Sequence, residues 1–214
     1  MTLRIMHLPL GPLQTNCYVL ACTKTNKAAV IDPGWDGRAI QDHVAKQGWT
    51  ISHILLTHTH FDHVGGLDEL KTLTGAPIYV HPEAVPMLER APAAAALWGF
   101  HVDPPPTPDV LLEEGDDIHI GELHATTLFT PGHAPGHVCF FLGDHGVIFD
   151  GDVLFQGSIG RTDLPGGDFG LLMKSIRERL LVLPDNTVVL SGHGPATTIG
   201  DERHTNPFLQ YNSG

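Results

Sequence analysis

The chain has 214 residues, 42% of them hydrophobic, with 24 Gly and 17 Pro, and a formal net charge of -12 with its histidines neutral. That length and apolar content suffice for one sizeable core, and the acidic balance argues against a nucleic-acid partner, which needs a basic surface to displace counterions. No run is apolar for long enough to span a bilayer, and residues 1–10 lack a long apolar run before a small-residue cleavage site, so a cytoplasmic protein with no membrane partner is expected.

Taken in order, residues 3–8 and 16–23 read as short strands with Gly11-Pro12 as the turn between them. Residues 28–32 form an apolar strand that ends at Pro33-Gly34. Asp36 is placed to N-cap a helix over about 37–47, with Ile40, Val44 and Ala45 as its apolar stripe and Gly48 as its stop. A strand over 51–57 and a helix over 63–74 follow, the helix with Leu67, Leu70 and Leu73 at helical spacing and Gly75 closing it. Residues 77–80 read as a strand and 83–90 as a helix opened by Pro82. Over 91–109 the pattern dissolves. Residues 93–98 have helical composition, but Pro104-Pro105-Pro106-Thr107-Pro108 cannot continue a helix. This reads as a long connection beside the active site, in which Trp98 and Phe100 either wall a substrate pocket or tether the loop. The second half is rich in strands, at 118–120, 125–130, 138–142, 147–149 and 187–190, with one amphipathic helix over 169–183. No repeat or linker divides the chain. The expectation is one domain over 1–214, of class α/β (α+β), built as a four-layer αββα sandwich.

Histidine is over-represented, at 15 residues. His58, His60 and His63 fall with Asp62 inside six residues, directly after an apolar strand and before Gly65-Gly66. Imidazole nitrogen is the commonest ligand for zinc-like metals, and a carboxylate adds a harder oxygen donor. On an extended chain His58, His60 and Asp62 share one face and His63 points elsewhere, so one loop can serve two neighbouring ions. Three further motifs stand at strand ends or turns: His133 and His137 in Thr130-Pro131-Gly132-His133-Ala134-Pro135-Gly136-His137, Asp150 and Asp152 in Phe149-Asp150-Gly151-Asp152, and His193 in Ser191-Gly192-His193-Gly194-Pro195. Glycines beside these donors let the backbone turn sharply and approach closely. His7, His43, His53, His101, His119, His124, His145 and His204 read as surface or structural. Cys17, Cys22 and Cys139 are odd in number, have no zinc-ribbon spacing, and read as buried reduced thiols.

The four motifs together resemble those of the metallo-β-lactamase fold superfamily, over about residues 8–207. Within it the chain looks most like the glyoxalase II-type hydrolases, whose wording is matched by Thr57-His58-Thr59-His60-Phe61-Asp62-His63-Val64-Gly65-Gly66, by Thr130-Pro131-Gly132-His133 and by Gly151-Asp152-Val153-Leu154-Phe155. The resemblance implies His58, His60 and His133 on one metal ion, Asp62, His63 and His193 on a second, and Asp152 bridging both. His137 matches a family position that is not a ligand. Two divalent ions are implied, zinc first, with iron or manganese equally suited to these donors. The implied reaction is attack of a metal-bridging hydroxide on the carbonyl of a small thioester such as S-lactoylglutathione. Asp62 would orient the hydroxide, and no nucleophile motif such as GxSxG is required. No counterpart of the C-terminal helical domain that supplies basic residues for glutathione in that family is expected here, and the chain resembles a short bacterial subgroup. Arg161, the basic residue nearest a metal motif, either meets a substrate carboxylate or pairs with Asp163.

Rival readings remain on the same fold. Persulfide dioxygenases use one iron held by residues matching His58, His133 and Asp152, and share a segment like Gly160-Arg161-Thr162-Asp163. Lactone or β-lactam hydrolysis is a further alternative. A flavodiiron oxygen reductase is disfavoured because His60 stands where that group has Glu. A non-catalytic binding module would be expected to have lost ligands, and none is lost.

Overall fold

In the computed structural model, which describes residues 2–210, the first half of the chain builds a six-stranded sheet in the order β1 (Leu3–Leu10), β2 (Thr15–Cys22), β3 (Lys27–Ile31), β4 (Thr50–Leu55), β5 (Ile78–Val80) and β6 (Val110–Leu111). β1 to β3 pair antiparallel and β3 to β6 parallel. The connections carry α1 (Gly37–Lys46), α2 (Phe61–Val64), α3 (Leu67–Thr74), α4 (Val85–Leu88) and α5 (Ala91–Leu97). The second half supplies β7 (Asp117–Ile120), β8 (Leu123–Phe129), β9 (Val138–Leu142), β10 (Val147–Gly151), the two-stranded ribbon β11 (Leu154–Phe155) and β12 (Ser158–Ile159), α6 (Phe169–Ser175), β13 (Val188–Ser191), β14 (Thr197–Thr198), α7 (Ile199–Thr205) and α8 (Pro207–Gln210). Its six-stranded sheet has the order β14-β13-β10-β9-β8-β7, with β10 and β13 parallel.

Strand parity makes the layers. In β2, Cys17, Val19 and Ala21 face a cluster shared with Ile40 and Val44 of α1 and Leu67 and Leu70 of α3. The alternate residues Tyr18, Leu20 and Cys22 face the second sheet and meet Val138, Phe140 and Leu142 of β9 and Phe149 of β10. Cys139 and Ile148, on the opposite faces of those strands, pack against Leu172 and Met173 of α6 and Ile199 of α7. The result is helix, sheet, sheet, helix, the sandwich expected. Strands buried on both faces need a continuous apolar run rather than alternation, which is what Cys17 to Cys22 provides. Each fully buried Leu, Ile or Phe contributes about 1.5–3 kcal/mol relative to exposure.

Several local expectations change. The helix over 63–74 is two helices, because the chain already turns helical at Phe61 and is interrupted at Gly65-Gly66. Both glycines press on the turn after β3: a Cβ on Gly66 would sit 2.8 Å from the Trp35 carbonyl carbon, and Gly66 N donates to Pro33 O at 2.8 Å. The N-cap at Asp36 is present, with Oδ1 accepting from Ala39 N at 3.0 Å. The helix over 169–183 gives way after Ser175 to a π-helical turn, Ile176–Leu180. All three cysteines are free and buried. Among the described residues no helix is long and apolar enough to cross a membrane.

The parallel strands direct the chemistry. β4, β10 and β13 are each followed at their C-terminal ends by a loop that carries one of the polar motifs, and the fourth motif, with His133, follows β8. The edges of the two sheets are tied there by Val138 N to Thr57 O at 2.8 Å and by Asn16 N to Gly192 O at 2.7 Å.

Candidate metal centre

His58, His60 and His133 converge at this edge, as do Asp62, His63 and His193. In each group the ligand atoms lie within 4.8 Å of one another. Asp152 stands between the groups: Oδ2 is 3.6 Å from His133 Nε2 and 3.7 Å from His193 Nε2, and Oδ1 is 3.5 Å from His63 Nε2. The expectation that His58, His60 and Asp62 share one face of an extended segment is corrected. His60 is extended, but Asp62 and His63 sit on the single turn of α2, which carries them to the second group.

The ring tautomers follow from proton counting. Thr57 has one hydroxyl proton, and it goes to Asp32 Oδ2 at 2.6 Å. Thr57 Oγ1 therefore accepts from His58 Nδ1–H, 3.0 Å away, which leaves the lone pair on His58 Nε2. His63 Nδ1 donates to Asp32 Oδ2 at 3.0 Å and His133 Nδ1 to Arg161 O at 2.8 Å, so their lone pairs also lie on Nε2. Such partners on the far nitrogen are what orient a ligating imidazole. His137 differs. Its Nε2 accepts from Asp152 N at 3.2 Å and its Nδ1 lies 3.0 Å from Thr130 Oγ1, so neither nitrogen is left for a cation.

A bulge separates the two aspartates of Phe149-Asp150-Gly151-Asp152. The register with β13 shifts between Phe149 and Gly151, so Asp150 and Asp152 are not on the same strand face. Gly151 has φ 52, and a Cβ there would lie 2.8 Å from His137 Nε2. Asp150 is fully buried, with Oδ2 accepting from Leu154 N at 2.8 Å, and burial pushes its carboxyl well above the usual range.

The electrostatics are those of a cation site. Burial, reinforced by neighbouring imidazoles, keeps His58 well below its ordinary value and brings His60 to about 4. Burial opposes ionisation of Asp62, but His63 and His193 outweigh it and bring the carboxyl to about 2. Asp152 is likewise held well below the usual range against its burial, by His63 first and then His133. Burial opposes charge on His63, yet Asp152 and Asp62 overcome it and raise its proton affinity. Three buried atoms of the cluster hydrogen-bond to nothing: His58 Nε2, His63 Nε2 and Asp152 Oδ1. Leaving such atoms unpaired costs about 1–3 kcal/mol each, and a cation among them removes that cost. The donor set therefore fits divalent metal ions.

The Arg161 side chain is exposed and pairs with Asp163 at 2.7 and 2.8 Å, while its backbone carbonyl is the group that touches the site. Phe100 packs against Trp35 and Phe61, with ring centroids at 6.1 and 5.9 Å, and so ties its loop to the first core cluster. Trp98 caps α5 and is 58% exposed. Reading the sequence missed Asp32, which follows β3 in the left-handed region at φ 50 and receives Thr57 N, Thr57 Oγ1 and His63 Nδ1. It also missed Thr15 and Asn16. Thr15 donates to Asp62 Oδ2 at 3.0 Å, and Asn16 Nδ2 donates to both Ser191 O and Gly194 O at 2.9 Å, holding the loop of His193.

The family model for the metallo-beta-lactamase superfamily matches residues 10–193. The chain belongs to the metallo-beta-lactamase superfamily. Among curated relatives it is 44% identical over 204 residues to a probable metallo-hydrolase, YqgX, of Bacillus subtilis (strain 168), covering 94% of this chain and 95% of that protein. It is 38% identical over 213 residues to the hydroxyacylglutathione hydrolase GloC of Haemophilus influenzae (strain ATCC 51907 / DSM 11121 / KW20 / Rd), covering 96% and 98%. Two solved structures superpose over nearly the whole chain. BLEG-1 B3 metallo-beta-lactamase has a TM-score of 0.91 at 43% identity, covering 97% of this chain and 100% of that one. TTHA1623 in a di-iron-bound form has 0.89 at 43%, covering 95% and 100%. The coarse chemistry of the metallo-beta-lactamase superfamily member is thus that of a metallo-hydrolase with a His/Asp cluster suited to two metal ions. Nitrogen and oxygen donors of this kind accept zinc, iron and manganese alike.

Proposed function

We propose that the chain is a dinuclear metal-dependent hydrolase of thioesters. In this reading His58, His60 and His133 would hold one ion and Asp62, His63 and His193 the other, with Asp152 placed to serve both. One observation carries the ligand assignment: buried donors from both groups, and the aspartate between them, keep atoms that make no hydrogen bond in the protein. Bound there, two divalent ions supply Lewis acidity, making water nucleophilic near neutral pH and polarising a carbonyl.

The chain's own part is to hold and orient. Thr57, Asp32 and the Arg161 carbonyl fix the ring tautomers. Thr15 and His193 engage Asp62 Oδ2, leaving Oδ1 to align the attacking water. A thiolate, whose conjugate thiol has a pKa of about 8.5, leaves without a proton donor, so a thioester asks only for this positioning. Similarity to the Haemophilus influenzae hydroxyacylglutathione hydrolase supports hydroxyacyl thioesters such as S-lactoylglutathione as the class. Similarity to BLEG-1 supports a second reading, opening of a β-lactam ring.

The test loads the protein with zinc, iron or manganese. It compares S-lactoylglutathione, coenzyme A thioesters and simple thioesters with a lactone and a β-lactam. Two ions per chain and preferred thioester turnover are expected. Faster β-lactam turnover would favour the second reading. Rapid oxygen uptake on glutathione persulfide with one iron per chain would replace hydrolysis altogether.

A further inference from the structure

Away from the candidate centre, β7 and β8 form a hairpin at the edge of the second sheet, closed by the turn Gly121-Glu122. His119 and His124 stand directly opposite each other in its register, and Asp117 lies two residues before His119, hence on the same face. All three are exposed, whereas Ile118, Ile120 and Ala125 of the alternate parity are buried. Asp117 Oδ2 is 3.3 Å from His119 Nε2 and 3.0 Å from His124 Nδ1, and the two rings are 4.4 Å apart at 66°. One ligand atom from each residue lies within 4.8 Å of the others.

We propose that this hairpin is a second, peripheral metal site that takes a divalent transition-metal ion of the zinc and nickel class through Asp117, His119 and His124. The cross-strand register brings both imidazoles together before any ion arrives, so binding orders only side chains. Two nitrogens and one carboxylate oxygen are the donor set such ions favour, and the solvent-facing side leaves their remaining positions to water. The chain's net charge of -12 adds a general attraction for cations. His119 and His124, surface histidines from sequence alone, are distinguished by the partner the fold places across from each. The ion would staple an edge strand, the kind of element most readily opened.

The experiment uses holoprotein with its active centre already saturated with zinc and excess metal removed. Titration with Ni2+ by calorimetry should register one additional equivalent per chain, with a rise in unfolding temperature. The double variant His119→Asn/His124→Asn should take up no additional equivalent and show no temperature rise, with hydrolytic activity unchanged. Asp117→Asn should keep the stoichiometry and bind more weakly. No extra equivalent on the unsubstituted protein, or an extra equivalent that survives the double substitution, overturns the proposal. Because the readout is binding to an already loaded enzyme, failure here is separate from failure of the hydrolase reading.

Discussion

The two groups that meet at Asp152 differ in their donors, three imidazoles against two imidazoles and a carboxylate, and are also supported differently. His58 and His133 are buried and locked through Nδ1, one by Thr57 and one by the Arg161 carbonyl. In the other group His63 has that support from Asp32, and Asp62 accepts from Thr15. Asp62 brings a charge, and His193 lies on the loop after β13 with its side chain 33% exposed. That loop is held from outside, by Asn16 and by Tyr18 Oη, which donates to Ser191 O at 3.0 Å. Order in a metal site is therefore set by what stands behind the ligands. The first group is rigid before a cation arrives, and the second depends on a loop being held in place.

The largest effect is expected where the comparison vanishes. Asp152→Ala removes the one carboxylate that faces both groups, so it should weaken both ions together. Losing several kcal/mol of Lewis-acid stabilisation corresponds to about a thousandfold lower kcat/KM. Metal content and kcat/KM measured on the same preparation check this. Next, Asp62→Ala should lower bound metal from two ions to one, abolish most hydrolysis and leave the circular dichroism spectrum unchanged. Full thioesterase activity in that variant would sink the dinuclear mechanism. Dialysis of the unsubstituted protein against a weak chelator should reproduce the same asymmetry, removing one equivalent well before the other. Asp32→Asn should cost about 10–100-fold in metal affinity through His63, although Asp32 need not touch the ion.

Why the sequence revealed the donors but not their supports is a matter of signal. His58, His60 and His63 with Asp62 are dense in sequence, and His133, Asp152 and His193 each follow a strand beside glycine. The layers were legible because Cys17 to Cys22 and Val138 to Leu142 are apolar on both parities. Asp32 read as the end of an apolar strand, since its role depends on Thr57 and His63 arriving from the segment after β4. The Arg161 contribution is a carbonyl, which every residue has. The bulge at Asp150 and the break at Gly65-Gly66 arise from tertiary approach, between β10 and β13 and between the α2–α3 junction and Trp35. β6, β11, β12 and β14 have two residues each, too few for any period to register.

The smallest effect tests whether the second group leans on β2. Asn16→Ala removes the two hydrogen bonds to that loop, to Ser191 O and Gly194 O, together with the contact of its Oδ1 to His7 Nε2, and touches neither proposed group of ligands. At about 1 kcal/mol of net value per bond, partly retained by the Tyr18 hydroxyl on Ser191 O, the loss should be about tenfold in affinity for the second ion. Affinity for the first ion should not move, because His58, His60 and His133 have no bond to that loop. Tyr18→Phe removes one contact to the same carbonyl and should show a smaller shift of the same pattern. If Asn16→Ala weakens both ions equally, the support is general to the edge where the sheets meet. The contrast between a rigid group and a loop-dependent one would then fail, even with the ligands assigned correctly.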